Sequence, residues 1–371
     1  MVSVKKLRTF CCLVMAGTAI AVSLSGCTSL STPGASSGQP MVLLPIAAAG
    51  VTDSRQAFAT QFGHELRQEG TSPDLSAWLH PIPEAASAAA ALSTPLLGTS
   101  VLIVPGILGE CVDGQALPFS DGVTRPRPQN YVEGYRKYLP DLGGVRAIQV
   151  GGRASSEANA QLVIAAVKAE AASSDVETII LVTYSKGLPD TLVAIQQMQA
   201  RAELPTKIKA LVSVSGVLLG TPVADEFKGY YEKLVAPFKQ LGCPESFGGE
   251  VESLTVKTRT NWLAATPIPP QIATFSVVAH ASREAIAPTL QPFFDMLSRI
   301  DPLNDGQVYA SWSILPRAHL LAEVRSDHWT YVLALEKSED SLVRALSSGR
   351  TFPREAFFRA MVKSVAAEVM H

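Results

Sequence analysis

The chain has 371 residues and a formal net charge of −2, with 31 Lys and Arg against 33 Asp and Glu. This near-neutral balance, without any basic run, argues against a nucleic-acid partner. No His/Cys pair has metal-ligand spacing and no glycine loop matches a phosphate cradle, so the sequence predicts neither a metal nor any other cofactor.

The first 26 residues have the pattern of an export leader, with a basic start before an apolar stretch at 10–24 that is too short to span a membrane comfortably. The stretch ends in Leu24-Ser25-Gly26-Cys27, which resembles the lipobox of bacterial lipoproteins. The resemblance implies cleavage before Cys27, lipidation of its sulfur and anchoring to the cell envelope. Thr28 favours the outer membrane, and the face of the membrane stays open. An ordinary secretory leader or an uncleaved anchor is the alternative.

The composition then predicts three further regions. Residues 27–40 are small and polar, which is typical of a flexible tether. Residues 41–99 form an N-terminal helical segment, in which Phe58, Phe62 and Leu66 recur at helical spacing before Gly70. The main domain is expected at 100–371.

Five runs in the main domain predict strands, and the four consecutive aliphatics at 179–182 leave no polar face, which is typical of a buried strand. Helical patterns separate several of them, and Ser155 is suited to cap one of these helices. Alternating strands and helices predict an α/β fold with a mostly parallel central sheet and helices on both faces. The runs are Val101–Val104, Val145–Val150, Ile179–Val182, Lys209–Ser215 and Ile272–Val278.

The region at about 221–270 interrupts this alternation with nearly fifty residues that carry several aromatics. An insertion of that length is usually functional, so we predict a cap over the domain. A plain helical excursion on the face of the sheet is the alternative.

The stretch Thr183-Tyr184-Ser185-Lys186-Gly187 resembles the G-x-S-x-G nucleophile elbow of the α/β-hydrolase superfamily, with Thr183 in place of the first glycine. The resemblance implies that Ser185 is a nucleophile at a strand-to-helix turn. The Lys186 side chain is expected to be exposed.

A second resemblance concerns the loop Pro105-Gly106-Ile107-Leu108-Gly109, which is placed like the oxyanion loop of that superfamily. It implies that backbone N–H groups near Ile107 and of Lys186 would face a developing oxyanion. A tight turn after the strand is the alternative for this loop.

The stretch Asp301 to Val308 resembles the Asn-Asp-Gly-Leu-Val segment that carries the acid in bacterial lipases, and Asp327-His328-Trp329 follows it. The order Ser185, Asp305, His328 is that of the superfamily. His328 would take the serine proton and Asp305 would orient the imidazole.

Other residues stay open for these roles. His80, His280 and His319 are alternative histidines, and Asp301 and Asp327 are alternative acids. The Asn-Asp-Gly sequence can also be a plain turn.

Cys111 and Cys243 remain once the leader is removed and Cys27 is lipidated. In an oxidising compartment they form either a disulfide or two buried free thiols.

Together these patterns predict a membrane-anchored serine hydrolase that cleaves a small-molecule or lipid ester with an acyl or apolar group through an acyl-enzyme. An acyltransferase with the same triad is one alternative. A non-catalytic hydrolase-like lipoprotein, used for binding or envelope assembly, is the other.

Overall fold

The computed structural model describes residues 50–71, 74–82, 96–107, 118–120, 139, 142–227, 249–338 and 341–370. All of them belong to the unit Leu44–His371. The predicted leader and tether, the lipidation site Cys27, and Cys111 and Cys243 lie outside the described residues. Among the helices within these ranges, none has the length and apolar character needed to cross a membrane.

The strands and helices alternate along most of the described chain. The strands are β1 (Thr52–Asp53), β2 (Thr99–Val104), β3 (Gly144–Ala147), β4 (Thr178–Tyr184), β5 (Ile208–Val214), β6 (Ala273–Ala279) and β7 (His319–Val324). The α-helices are α1 (Arg55–Gln68), α2 (Ser156–Ala171), α3 (Gly187–Ala200), α4 (Pro222–Phe227), α5 (Val256–Ala265), α6 (Gln291–Leu297), α7 (Ser341–Ala345) and α8 (Arg354–Val369).

The strands form one seven-stranded sheet in the order β1-β7-β6-β5-β4-β2-β3. Every neighbouring pair of strands is parallel, which confirms the predicted sheet type. In such sheets ligands bind beyond the carboxyl ends of the strands, so the candidate site is expected where β4 ends and α3 begins.

Both faces of the sheet are covered, as the unbroken aliphatic runs predict. On β4, Ile180 and Val182 point into one apolar cluster together with residues of α1 and α8. Ile179 and Leu181 point to the opposite cluster, which is closed by α2 and α3. The predicted cap of α2 is also present, since the Ser155 hydroxyl accepts the N–H of Ala158 at 3.2 Å.

The N-terminal segment contains the expected helix and also completes the sheet. Strand β1 pairs with β7 at one edge. Phe58 and Phe62 of α1 are fully buried and lie against Phe357 of α8, with ring centroids 5.1 and 5.4 Å apart. This segment therefore shares its core with the main domain.

Only the two ends of the predicted cap at 221–270 lie among the described residues. Helix α4 begins the segment and α5 lies near its end. Trp262 of α5 packs against the cluster formed by α2 and α3. Residues 228–248, with most of the aromatics of the segment, are outside the described residues.

Candidate active site

Ser185 lies at the sharp turn between β4 and α3. Its backbone has a φ of +53°, a left-handed conformation that is unusual for a residue other than glycine. Hydrogen bonds fix the turn: the Ser185 N–H donates to the carbonyl of Val214 at 3.1 Å, and the Ser185 carbonyl accepts the N–H of Val217 at 3.2 Å. The turn therefore presents the serine hydroxyl in a fixed position beyond the end of the strand.

The first and last residues of the elbow motif, Thr183 and Gly187, have different surroundings. A Cβ atom added to Gly187 would lie 2.2 Å from the carbonyl oxygen of Val104, so only glycine fits where α3 begins against β2. Thr183, in the position that is glycine in the motif, is fully buried and donates its hydroxyl to the carbonyl of Val212 at 2.8 Å. The threonine is thus accommodated by a hydrogen bond to the neighbouring strand.

The structure brings Ser185, His328 and Asp305 together. Nε2 of His328 lies 2.9 Å from Oγ of Ser185, and Nδ1 of His328 lies 2.7 Å from Oδ2 of Asp305. The three residues are 5%, 3% and 0% exposed, respectively, so this chain of contacts is screened little by solvent.

The Asn-Asp-Gly turn orients the Asp305 carboxylate. Oδ1 accepts the backbone N–H groups of Gln307 and Val308, each at 2.9 Å, which leaves Oδ2 to face the imidazole. The Asp305 carbonyl also accepts the His328 N–H at 2.9 Å. The Asn-Asp-Gly sequence is therefore a turn, and this turn places the Asp305 carboxylate beside His328.

Tyr184 supports the histidine from β4. Its hydroxyl donates to the backbone carbonyl of His328 at 2.7 Å. Burial, and then the nearby Tyr331, Asp305 and Asp327, raise the pKa of Tyr184 well above its ordinary value of 10.0, so the hydroxyl stays protonated and remains a donor. Tyr184 stands at an x position of the elbow motif, where the motif specifies no residue type, so no sequence signal points to this contact.

The predicted oxyanion donors flank the serine. A Cβ atom added to Gly106 would lie 3.0 Å from Cβ of Ser185, so the backbone before Ile107 runs directly beside Ser185. Lys186 is the N-terminal flanking residue of α3, where the first N–H groups of a helix have no carbonyl partner within it.

The prediction for the Lys186 side chain is wrong. It is 1% exposed, and its ammonium contacts both carboxylate oxygens of Asp190, at 2.7 and 2.8 Å. The reason is that the N-terminal end of α2 covers this side of the elbow: Ser156 and Asn159 also contact Asp190.

The alternative histidines have other neighbours. The rings of His80 and His280 stack with centroids 3.7 Å apart, and the His80 Nε2 lies 2.9 Å from the carbonyl oxygen of His280. Nδ1 of His319 lies 3.2 Å from the hydroxyl of Ser54.

The alternative acids have structural contacts as well. Asp301 accepts the N–H of Leu303 at 2.9 Å. Asp327 accepts the backbone N–H groups of Ala287, Trp329 and Thr330, which fixes the loop that carries His328. Burial raises the pKa of Asp327, although these hydrogen bonds act in the opposite direction.

An apolar cluster lies next to the histidine loop. Its buried members come from α4, α6 and the segments around them, and Trp329, which directly follows His328, packs against it. The buried residues are Val223, Ile286, Ala287, Leu290, Phe293, Phe294, Leu297 and Tyr309. Among the described residues, no group of three or more His, Cys, Asp or Glu side chains could hold a metal ion.

No protein-family model and no curated protein matches the chain. Among solved structures, the metagenomic carboxyl esterase MGS0156 is similar at 29% sequence identity with a TM-score of 0.74, over 89% of this chain and 97% of the esterase. Lipase 1 from Pelosinus fermentans is similar at 14% identity with a TM-score of 0.50, over 73% of this chain and 98% of the lipase. The parallel sheet, the covering helices and these similarities establish that the chain has the α/β-hydrolase fold, with carboxyl esterases and lipases as its structural neighbours.

Proposed function

We propose that the protein is a serine hydrolase that cleaves carboxylic esters, with Ser185 as nucleophile, His328 as general base and acid, and Asp305 as the residue that orients the imidazole. The observation that carries the proposal is the continuous, buried relay from the Ser185 hydroxyl through His328 to Asp305. A neutral serine hydroxyl is a poor nucleophile, and an adjacent oriented base is what activates it.

In the first half of the reaction, Nδ1–H of His328 donates to the Asp305 carboxylate, so Nε2 is free to accept the serine proton. Oγ of Ser185 forms a bond to the ester carbonyl carbon as its proton moves to Nε2. The carbonyl oxygen becomes an oxyanion, which the backbone N–H groups of Ile107 and Lys186 would stabilise. The C–O bond to the alcohol then breaks, and Nε2–H returns the proton to the departing alkoxide.

The second half repeats these steps with water. The water oxygen attacks the acyl carbon of the acyl-enzyme as Nε2 of His328 takes a proton from that water. The intermediate collapses, the bond between Oγ and the acyl carbon breaks, and the proton returns to Ser185. The products are a carboxylic acid and the free enzyme.

The proposed substrate is a small-molecule or lipid ester with an apolar acyl group. Two observations support this choice: the apolar cluster beside His328, and a carboxyl esterase as the structural neighbour at 29% identity. Acyl transfer to an alcohol would use the same residues, so product analysis with and without added alcohol separates the two reactions.

The test is covalent labelling of the purified protein with a fluorophosphonate, mapped by mass spectrometry, together with hydrolysis of nitrophenyl esters of increasing chain length. We expect the label on Ser185, and we expect Ser185→Ala and His328→Ala to abolish it. His319→Gln serves as the matched histidine control and should label like the wild type. A folded wild-type protein that neither labels nor hydrolyses esters would overturn the proposal in favour of a non-catalytic binding role.

The envelope location is a separate proposal that rests on the Leu24-Ser25-Gly26-Cys27 sequence. We infer that Cys27 carries a lipid that anchors the protein to the outer membrane, since several acyl chains hold a protein firmly to a bilayer. Mass spectrometry of the protein expressed as the full chain and extracted in detergent tests this: its N-terminal peptide should begin at Cys27 and carry the added mass of acyl chains. An N-terminal peptide that begins elsewhere, or an unmodified Cys27, would contradict it.

A further inference from the structure

The buried ion pair behind the nucleophile has no part in the relay described above. Lys186 and Asp190 lie one turn apart at the start of α3, and each is 1% exposed. The Lys186 ammonium contacts both oxygens of the Asp190 carboxylate, at 2.7 and 2.8 Å. These two contacts hold the Lys186 side chain in the interior of the protein.

The carboxylate is itself held from a second helix. Oδ1 of Asp190 accepts the hydroxyl of Ser156 at 2.6 Å, and Oδ2 accepts the amide of Asn159 at 2.6 Å. Both residues belong to the first turn of α2, whose position is fixed by the hydrogen bond from the Ser156 N–H to the hydroxyl of Ser253 at 3.0 Å. Asp190 therefore links α2 to the start of α3 through charge-assisted hydrogen bonds, which are stronger than neutral ones.

Helix stability explains only part of this arrangement. Asp190 in the first turn favours the helix dipole, but Lys186 at the N-terminal end opposes it, and Lys four residues before Asp is the less favourable order of the pair. A buried ion pair often contributes no more stability than apolar side chains of the same size. Because the pair lies next to Ser185, it can instead position the backbone at the serine.

Lys186 is the residue whose backbone N–H is the proposed oxyanion donor. On the β2 side, the contact between Gly187 and the Val104 carbonyl leaves no space for α3 to shift. On the α2 side, the ion pair of Lys186 with Asp190 holds the Lys186 side chain in place. It would thereby prevent rotation of the peptide between Ser185 and Lys186. A donor has to be aimed within a few tenths of an ångström at the developing charge to lower the barrier.

We propose that Lys186 and Asp190, with Ser156 and Asn159, form a positioning clamp that aims the Lys186 N–H at the oxyanion. This inference rests on the proposed function, and it concerns the transition state only. The clamp has no expected contact with the substrate, so it should influence kcat rather than KM.

The test compares Lys186→Met, Asp190→Leu and the double variant with both changes. The single variants leave an unpaired buried charge and are susceptible to misfolding, whereas the double variant replaces the pair with apolar side chains of similar size. For the folded double variant we expect kcat to fall by about 10- to 100-fold with KM nearly unchanged, because a misplaced donor loses part of the 10²- to 10³-fold effect of a whole one.

A second readout separates positioning from general damage. Binding of a trifluoromethyl ketone, which forms an oxyanion on Ser185, should weaken by the same factor as kcat, while the pH dependence of kcat/KM stays in place because His328 and Asp305 are untouched. Lys168→Met is the matched control, since it breaks an exposed ion pair with Glu203 on the same two-helix layer, and it should retain wild-type kinetics.

Failure of the clamp and failure of the proposed function give different results. A double variant that is folded and retains wild-type kcat and ketone affinity would overturn the clamp while leaving the proposed function intact. A wild-type protein without any labelling or ester hydrolysis would remove the proposed function, and the clamp with it.

Discussion

At the scale of single residues, the hydroxyl of Tyr184 holds the backbone carbonyl of His328, while the Asp305 carbonyl holds its N–H. Tyr184→Phe leaves the His328 carbonyl without this buried donor. We expect a loss of unfolding free energy of about 1–3 kcal/mol. We also expect kcat to fall about tenfold, because ~1.4 kcal/mol of barrier corresponds to one factor of ten. Urea denaturation and ester kinetics measure the two effects.

Tyr331→Phe is the matched control for this prediction. Tyr331 is also fully buried, but its hydroxyl donates to the Ser215 hydroxyl at 2.7 Å instead of to the histidine loop. This variant should lose a similar amount of stability and retain its kcat. Equal losses of kcat in the two variants would show that general destabilisation, and not the support of His328, is responsible.

Gly187 gives a second prediction at this scale. Gly187→Ala places a methyl group 2.2 Å from the carbonyl oxygen of Val104, which belongs to backbone that cannot rotate away. We expect a destabilisation of ~3 kcal/mol or more and loss of fluorophosphonate labelling. Gly63→Ala is the control, because its new methyl group would be no closer than 3.6 Å to any side chain and alanine favours a helix by up to ~1 kcal/mol. A labelled, stable Gly187→Ala protein would contradict the packing argument.

The sequence allowed the prediction of those site residues that have a fixed place in the chain order. Ser185, Asp305 and His328 each stand in a short pattern, and the structure brings the three together. Tyr184 and Asp190 could not be predicted in this way. Their roles depend on residues far away in the chain, at separations of 144 positions for Tyr184 and His328 and 31 for Asp190 and Asn159.

At the scale of elements, the predictions that rest on continuous apolar sequence succeeded, and β1 and the end of β3, which lack it, were not predicted. The aliphatic runs at β2, β4, β5 and β6 give strands within one or two residues of their observed limits, because buried parallel strands need continuous apolar sequence. Strand β3 ends at Ala147, three residues before the predicted end at Val150. Strand β1 has only two residues, which is too short for any periodicity to reveal.

The contact between α1 and α8 gives a prediction at this scale. Glu65 is fully buried between these helices, where it accepts hydrogen bonds from Arg359 at 2.9 Å and Lys363 at 2.8 Å. Removing Glu65 takes a buried carboxylate away from both cations, and Arg359 then keeps its contact with Glu69 at 2.6 Å. We therefore expect Glu65→Leu to destabilise the protein by about 3–5 kcal/mol, measured by urea denaturation.

The control for Glu65 is the exposed pair of Lys168 and Glu203, which lies elsewhere on the surface. Lys168→Met should leave the denaturation midpoint unchanged, because solvent screens exposed pairs. If Glu65→Leu also left the midpoint unchanged, the network between α1 and α8 would not contribute to stability.

At the scale of the whole molecule, His80 makes stability depend on pH. Burial is the main cause that lowers the pKa of His80, with further contributions from His280 and Arg325, while Glu323 and the backbone contact with His280 act in the opposite direction. Glu323 is in turn paired with Arg55 at 3.0 Å. The unfolded chain therefore binds a proton at higher pH than the folded chain does.

The sign of the effect follows from this difference. As pH falls below about 6.5, the unfolded chain takes up a proton that folded His80 resists, so the unfolding free energy decreases until pH passes the lowered pKa. His80→Gln retains a donor for the His280 carbonyl and should reduce this slope. Denaturation midpoints between pH 5 and 8 test it, and identical slopes for the variant and the wild type would exclude His80 as a cause.

The packing of α1 against α8 also has a consequence for the order of events during synthesis. Glu65 and Arg359 are 294 residues apart in sequence, so the aromatic face of α1 lacks its contacts with Phe357 until α8 has been made. Contacts this distant in the chain form slowly, because a long loop has to close first. A chain shortened before α8 would therefore leave the aromatic face of α1 without Phe357, which packs against it.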